Sequence, residues 1–204
     1  ACQERVVGIC RELNEPHRIG RALIKQGLML ADLDRFEEAV EVSEQALTLI
    51  EPGWEPRLQL MARHNLIGFL GESGRGVEAL ERLEQLRREY AAFPDAWTRL
   101  HFDWLRATLL AHSGRQEESA ALLEQVRQGL LEDDRLLDAA QATLQLSLLL
   151  LELGRPAEAA AAAQAAFTMF VACDVVRPAF AAALLSARAR AGLPDEPLPE
   201  PGAG

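Results

Sequence analysis

The chain has 204 residues, 49% of them hydrophobic and 25% charged, a composition that can bury a sizeable core. A net charge of −10 with no Lys/Arg cluster argues against a surface that tracks nucleic-acid phosphates, so no direct nucleic-acid partner is expected. Aromatics are scarce at 5%, Ala and Leu dominate, and the longest apolar run, LQLSLLLLEL, is too short and too polar to span a bilayer.

In chain order, a first helical stretch over about Cys2–Leu13 ends at the breaker cluster Asn14-Glu15-Pro16. Four helix pairs follow: His17–Leu33 with Phe36–Ile50, Pro56–Ser73 with Val77–Tyr90, Ala96–Ser113 with Gln116–Leu131, and Leu136–Leu153 with Pro156–Ala172. A closing helix runs over about Val175–Ala191. The end, LPDEPLPEPGAG, holds four of the ten prolines and reads as a disordered tail. The expected divisions are therefore 1–14, 15–173, 174–192 and 193–204. The chain opens on Ala and enters directly on helix-like sequence, so a fragment or a processed chain is expected. There is no signal-peptide pattern, and three cysteines, Cys2, Cys10 and Cys173, suit free thiols in a reducing, cytoplasmic compartment.

The pairs share a fixed period. Arg35, Arg75, Arg115 and Arg155 stand 40 residues apart, as do Glu38, Glu78, Glu118 and Glu158. Asp34, Gly74, Gly114 or Gly154 precedes each arginine, and Ala39, Ala79, Ser119 or Ala159 follows each glutamate. Such a period marks a repeat array. The Gly or Asp stands where the first helix of a pair must stop, in a backbone region that Gly takes at no cost and Asp tolerates. The Glu lies in the first turn of the second helix, where its charge suits the positive end and where it can reach back to free N–H groups or pair with the Arg. The small residue after it lets the two helices approach. Other columns agree. Leu30, Leu70, Leu110 and Leu150 are identical, Ile50, Tyr90, Leu130 and Phe170 are all large and apolar, and Gly27, Ile67, Ala107 and Ser147 are mostly small.

On these residues the chain resembles the tetratricopeptide repeats: the small Gly27 or Ala107, the Leu30 or Leu110 column, the Gly-Arg turn, and Ala39, Ala79, Ala159, Ala46 and Ala166 match that pattern over about residues 17–172. The period of 40 is longer than the family's usual spacing and resembles the helical sensor regions of bacterial signalling and transcription-regulating proteins. The resemblance implies an all-α fold, a right-handed superhelical α-solenoid of four helix pairs. The first helix would be half of a preceding repeat, and the last would be a cap over the open apolar face. It also implies a concave groove lined by the first helix of each pair.

Carried onto this sequence, four columns would line that groove. They are Arg21, Met61, His101, Gln141; Ile24, His64, Trp104, Leu144; Lys25, Asn65, Leu105, Gln145; and Leu28, Gly68, Thr108, Leu148. These columns vary in charge and size where the Leu column does not. Arg21 and Lys25, one turn apart, with His64 and Asn65 in the next repeat, form an expected clamp for a carboxylate or other anion. Trp104 with His101 offers a flat platform, and Gln141 and Gln145 could hydrogen-bond an extended backbone. Leu28 and Thr108 complete the set of candidate binding residues. The competing reading leaves Arg21 and Lys25 solvated and packs Trp104 against a neighbouring helix.

No nucleotide-binding, zinc-protease or serine-hydrolase motif is present, and the four histidines have no metal-ligand spacing, so neither an enzyme nor a cofactor or metal is expected. Arg63, Asp103 and Arg106 are expected to form an ion-pair cluster between repeats. Trp54 and Trp97, at inter-repeat connections, are expected to cover helix ends. The functional expectation is a non-catalytic module that binds a peptide, a protein or a small ligand in a larger bacterial regulatory protein. The alternative is a structural spacer or a self-associating element.

Overall fold

The computed structural model describes residues 15–192 except 52 and 54. The predicted first helix, the Pro-rich tail, Cys2, Cys10 and Trp54 lie outside the described residues. Among the described residues the chain is all-α, with nine helices: α1 (Pro16–Ala31), α2 (Phe36–Leu49), α3 (Pro56–Glu72), α4 (Gly76–Ala91), α5 (Ala96–His112), α6 (Gln116–Glu132), α7 (Leu136–Glu152), α8 (Pro156–Ala172) and α9 (Val176–Ala191). Each predicted helix in this range is present, with ends moved by one or two residues. The chain divides into two compact units, Ala1–Pro94 and Asp95–Gly204. In the first, α1 packs on α2, α2 on α3 and α3 on α4; in the second, α5 to α9 pack in the same consecutive way. This is the packing of an α-solenoid, in which each helix buries its apolar stripe on its chain neighbours.

The turn inside each pair explains the 40-residue motif. Gly74, Gly114 and Gly154 have φ of 83°, 75° and 71°, and Asp34 has φ of 56°. This left-handed residue swings the chain so that the next amide, on Arg35, Arg75, Arg115 or Arg155, bonds back to the carbonyl of Leu30, Leu70, Leu110 or Leu150 at 2.8–2.9 Å. The Leu column thus supplies both a buried side chain and the carbonyl that closes the turn. The sequence does not announce that the turn between the third and fourth pairs and the turn before α9 use the same device: Asp134 and Asp174 are also left-handed, and Arg135 and Val175 bond back to Leu130 and Phe170. In the second unit helices therefore start at 96, 116, 136, 156 and 176. A Cβ added at Gly114 would meet nothing within 4 Å, so the cost of a side chain there is chiefly that of the positive φ. Gly114→Val is expected to lose about 1–2 kcal/mol in urea unfolding, and a loss near zero would show that the turn can re-form without a positive φ.

The arginine of the motif is the N-cap of the second helix, and its side chain makes no capping bond. It grips the glutamate three residues on with two parallel bonds: Arg35 to Glu38 at 2.6 and 2.6 Å, Arg75 to Glu78 at 2.8 and 2.9 Å, Arg115 to Glu118 at 2.7 and 2.6 Å, Arg155 to Glu158 at 2.7 and 2.6 Å. The guanidinium takes both carboxylate oxygens that a capping box would have turned towards the backbone. It also holds each of these four carboxyls below the usual carboxylate range.

The small residue after each glutamate is buried completely at the helix crossing: Ala39, Ala79, Ser119 and Ala159 are all 0% exposed. Opposite them stand Gly27, Ile67, Ala107 and Ser147, all buried. A Cβ on Gly27 would lie 2.9 Å from the Ser43 Oγ, so that crossing is closed to a larger residue. A hydroxyl ties the last two crossings from either side. Ser119 donates to the Ala107 carbonyl and Ser147 to the Ala159 carbonyl, both at 2.7 Å. The large column, Ile50, Tyr90, Leu130 and Phe170, is buried throughout.

The closing helix α9 packs against α8, as the cap reading expects. Ser186 donates to the Ala160 carbonyl of α8 at 3.1 Å, and Ala179 and Ala182 join a core with Ala140, Ala166 and Phe170. The outer face of α9 is not polar, however: Val176 is 76% and Phe180 65% exposed.

Candidate functional site

The candidate residues fall into two groups, one in each unit. In the first unit, α1 carries Arg21, Lys25 and Leu28, and α3 carries His64 and Asn65. The clamp does not assemble freely. Arg21 Nη1 bonds to Glu55 Oε1 at 3.1 Å, just ahead of α3. His64 Nδ1 lies 2.5 Å from the Tyr90 hydroxyl of α4, and burial pushes that phenol above its usual value, so it stays protonated. Lys25 and Leu28 are exposed and Asn65 is half-buried. Arg63, expected to pair with Asp103, bonds instead to Glu89 of α4, within its own unit. What remains open at this end is the Lys25 ammonium beside the exposed apolar Leu28 and Met29.

In the second unit, α5 places Trp97, His101 and Trp104 at i, i+4 and i+7, which puts them on one helix face. Asp95 fixes the start of that helix by accepting the Thr98 amide at 2.9 Å. The Trp97 and His101 rings lie 4.1 Å apart, and His101 and Trp104 5.9 Å apart. The Arg135 guanidinium, at the α6–α7 turn, sits over the Trp97 ring at 5.6 Å. Trp104 is tied down. Its Nε1 donates to Gln145 Oε1 of α7 at 2.7 Å, Gln145 Nε2 donates to Thr108 Oγ1 at 2.8 Å, and Thr108 Oγ1 donates to the Trp104 carbonyl at 3.2 Å. The structure therefore brings three predicted residues, Trp104, Thr108 and Gln145, into one closed network between α5 and α7. It leaves Gln141 exposed on α7, and it buries Leu105, of the column of Lys25, Asn65 and Gln145, in the core.

Trp97 was read from sequence as a cover for a helix end. It stands second in α5, half-buried, at the head of the ring row. Its spacing of four to His101 and seven to Trp104 was the signal that could have placed it there. Glu55 and Arg135 share one column, Glu15, Glu55, Asp95 and Arg135, just ahead of the first helices; each meets a residue of the site in a different column, which reading one column at a time does not reveal.

His101 is held below its usual value chiefly by burial, with Arg135 acting in the same sense and Asp138 against it. The unfolded chain then binds the proton at a higher pH than the folded one. The stability this contributes is present above the unfolded value of about 6.5 and is lost as pH falls through the folded value. His101→Gln is expected to flatten the decline of the urea midpoint between pH 7 and 5. Parallel curves for the two proteins would show that His101 titrates alike folded and unfolded.

Among the described residues no group of three or more His, Cys, Asp or Glu is placed to hold a metal ion, and no helix is long and apolar enough to cross a membrane. The thiol of Cys173 is free.

The family model that matches is the tetratricopeptide repeat, over residues 20–51, which is the first helix pair. The chain carries the tetratricopeptide-repeat fold. Solved structures share it across nearly the whole chain. PlcR of Bacillus thuringiensis, crystallised with the peptide PapR7 and DNA, matches with a TM-score of 0.69 at 16% identity, covering 88% of this chain and 68% of that one. A putative kinesin light chain of Podosopora anserina with nearly identical TPR-like repeats matches at 0.62 and 22% identity, covering 87% of each chain. BtubC of P. vanneervenii matches at 0.61 and 18% identity, covering 100% of this chain and 94% of that one. A search of curated proteins finds no match. In tetratricopeptide terms α1, α3, α5 and α7 are the first helices of four repeats, and α2, α4, α6 and α8 the second.

Proposed function

We propose that this tetratricopeptide module is non-catalytic and binds a peptide or protein segment on the faces of its first helices, within a bacterial regulatory or signalling protein. The observation that carries the reading is the ring row of α5. Trp97 and His101 are half-buried with their rings 4.1 Å apart, Arg135 lies over the Trp97 ring, and α7 of the same unit carries the exposed Gln141. A scaffold column repeats its residue from pair to pair, as the Leu column does. Here His17, Arg57, Trp97 and Leu137 share one column, and Arg21, Met61, His101 and Gln141 the next. Rings and an amide at this spacing suit an extended segment that stacks a side chain and exchanges backbone hydrogen bonds.

The tying of Arg21 to Glu55 speaks against a strong anion clamp in the first unit and leaves Lys25 as an exposed cation on α1 there. Likeness to PlcR supports the regulatory setting, because that protein was crystallised with a peptide. The net charge of −10 argues against phosphate binding by these repeats themselves.

The test is affinity purification from the native host's extract, read by mass spectrometry. One bait is this chain and the other carries Lys25→Ala, Trp97→Ala, His101→Ala and Gln141→Ala, matched for helicity. A partner recovered by the first and lost by the second supports recognition on this face. Equal recovery by both baits moves recognition elsewhere and removes the proposed site.

A further inference from the structure

The period continues past the fourth pair. α7 begins at Leu136 and α9 at Val176, 40 residues on, and both follow a left-handed Asp, Asp134 or Asp174. α9 thus stands in the register of a fifth first helix. Two columns show what that register demands. The first contains Gly20, Leu60, Leu100 and Ala140, and the second Gly27, Ile67, Ala107 and Ser147; all eight are buried. Within each pair these columns face the second helix. A Cβ on Gly20 would meet Ile50, Leu100 lies against Gly129, and Ser147 bonds to Ala159. The next members of the two columns are Phe180 and Ala187, and both are exposed. Ser186, next to Ala187, is buried and bonded to α8, so α9 already has its inner side satisfied.

The exposed face is apolar and shaped. Val176, Phe180, Ala183 and Ala187 follow one another at helical spacing. Val171 and Phe167 of α8 join Val176 and Phe180 around a hollow of about 300 Å³. Between Arg190 and Gly204 the repeat pattern is not continued: the Leu column passes to Arg190, the Gly column to Pro194, and no Arg-x-x-Glu occurs there. Charge tells what would fit. α9 carries Arg177, Arg188 and Arg190 and no acid, the last two in its final turn. The second helices of all four pairs carry acid in their first turn, namely Glu37 and Glu38, Glu78, Glu117 and Glu118, and Glu158. A second copy of α9 would instead set arginines against arginines.

We propose that the outer face of α9 is a docking site for an amphipathic α-helix of a partner protein, one with an acidic first turn and a small residue at the crossing, seated as a fifth second helix. It would lay its apolar stripe over Phe180 and Ala187 and bring its acids to the arginine end of α9. This site is separate from the first-helix face proposed above, and it stands or falls without it.

A fluorescein-labelled peptide of residues 116–132, itself a second helix of this type, serves as the probe against the full 204-residue chain, read by fluorescence anisotropy. Saturable binding is expected. It should weaken at least tenfold with Phe180→Glu, and likewise with Ala187→Arg as an independent variant of unchanged helicity. It should also weaken when the peptide carries Glu117→Lys and Glu118→Lys. Absence of binding, or binding that both variants leave intact, overturns the proposal. Sedimentation of the chain alone decides the other occupant: a concentration-dependent dimer that Phe180→Glu returns to monomer would assign the face to a second copy and overturn it too.

Discussion

Phe170→Ala is expected to cost about 3–5 kcal/mol of unfolding free energy, the largest effect of any single truncation considered for this chain. The ring is 0% exposed and packs among Ala140, Ala166, Ala179 and Ala182. The buried alanines have no side chain to swing into the vacated space, so the cavity closes only as far as the partly buried Leu144, Phe167, Met169 and Val175 around the cluster, or α8 and α9 themselves, can shift. The turn itself survives, because Val175 bonds to the Phe170 carbonyl and not to the ring. Phe180→Ala is the matching control: the same ring is lost ten residues later from an exposed site, with an expected change within about 0.5 kcal/mol. Urea titrations of the three proteins decide it. A loss under about 1.5 kcal/mol for Phe170→Ala would mean that the last helices collapse into the gap.

Trp104→Ala is expected to be the second large loss, about 2–4 kcal/mol. The indole lies against two clusters at once, one containing Leu146 and Leu150 and the other Val126 and Leu130. Its N–H also anchors Gln145, which anchors Thr108. Truncation removes the packing and breaks the closed network, so Gln145 loses its acceptor role. Trp104→Phe should keep much of the packing and lose the hydrogen bond, placing it between wild type and Ala. If Trp104→Ala unfolds at the wild-type urea concentration, the indole is not a strut and belongs with the recognition residues. The expected result has a practical consequence: a binding defect in a Trp104 variant would report damage between α5 and α7. The recognition test therefore rests on Trp97, His101, Gln141 and Lys25.

The fold was legible because its determinants recur. The Gly or Asp of the turn, the Leu whose carbonyl closes it, and the Ala or Ser at the crossing each appear four times at one spacing, and a recurring residue type needs a recurring physical cause. The site was less legible for the same reason. Gln145 meets Trp104 across 41 residues, a diagonal contact that reading columns one at a time cannot reveal. Tyr90 sits in a column of plain hydrophobes, and only its own repeat has a hydroxyl there to engage His64. Glu55, which captures Arg21 across 34 residues, makes another diagonal contact between two columns. Leu105 falls in the groove column of Lys25, Asn65 and Gln145 that the family resemblance implies. One step of 100° around α5 separates it from the half-exposed Trp104 and turns it into the core.

The even spacing of helix starts in the second unit, 96, 116, 136, 156 and 176, has a consequence for how this sequence can change in length. Each step is one 17-residue helix and one three-residue turn of the same construction. Inserting or deleting one residue within any of these helices turns every later column by 100° relative to its partner, so the buried Leu and Ala positions downstream would point to solvent. Length variants should therefore survive in only two forms. One is a gain or loss of whole 20- or 40-residue steps. The other is a change confined to the connections after Leu49 and around Pro94, where among the described residues no amide five residues on bonds back to Ile50 or Tyr90 as that of Arg135 does to Leu130, and where a foreign loop could be spliced in between helices.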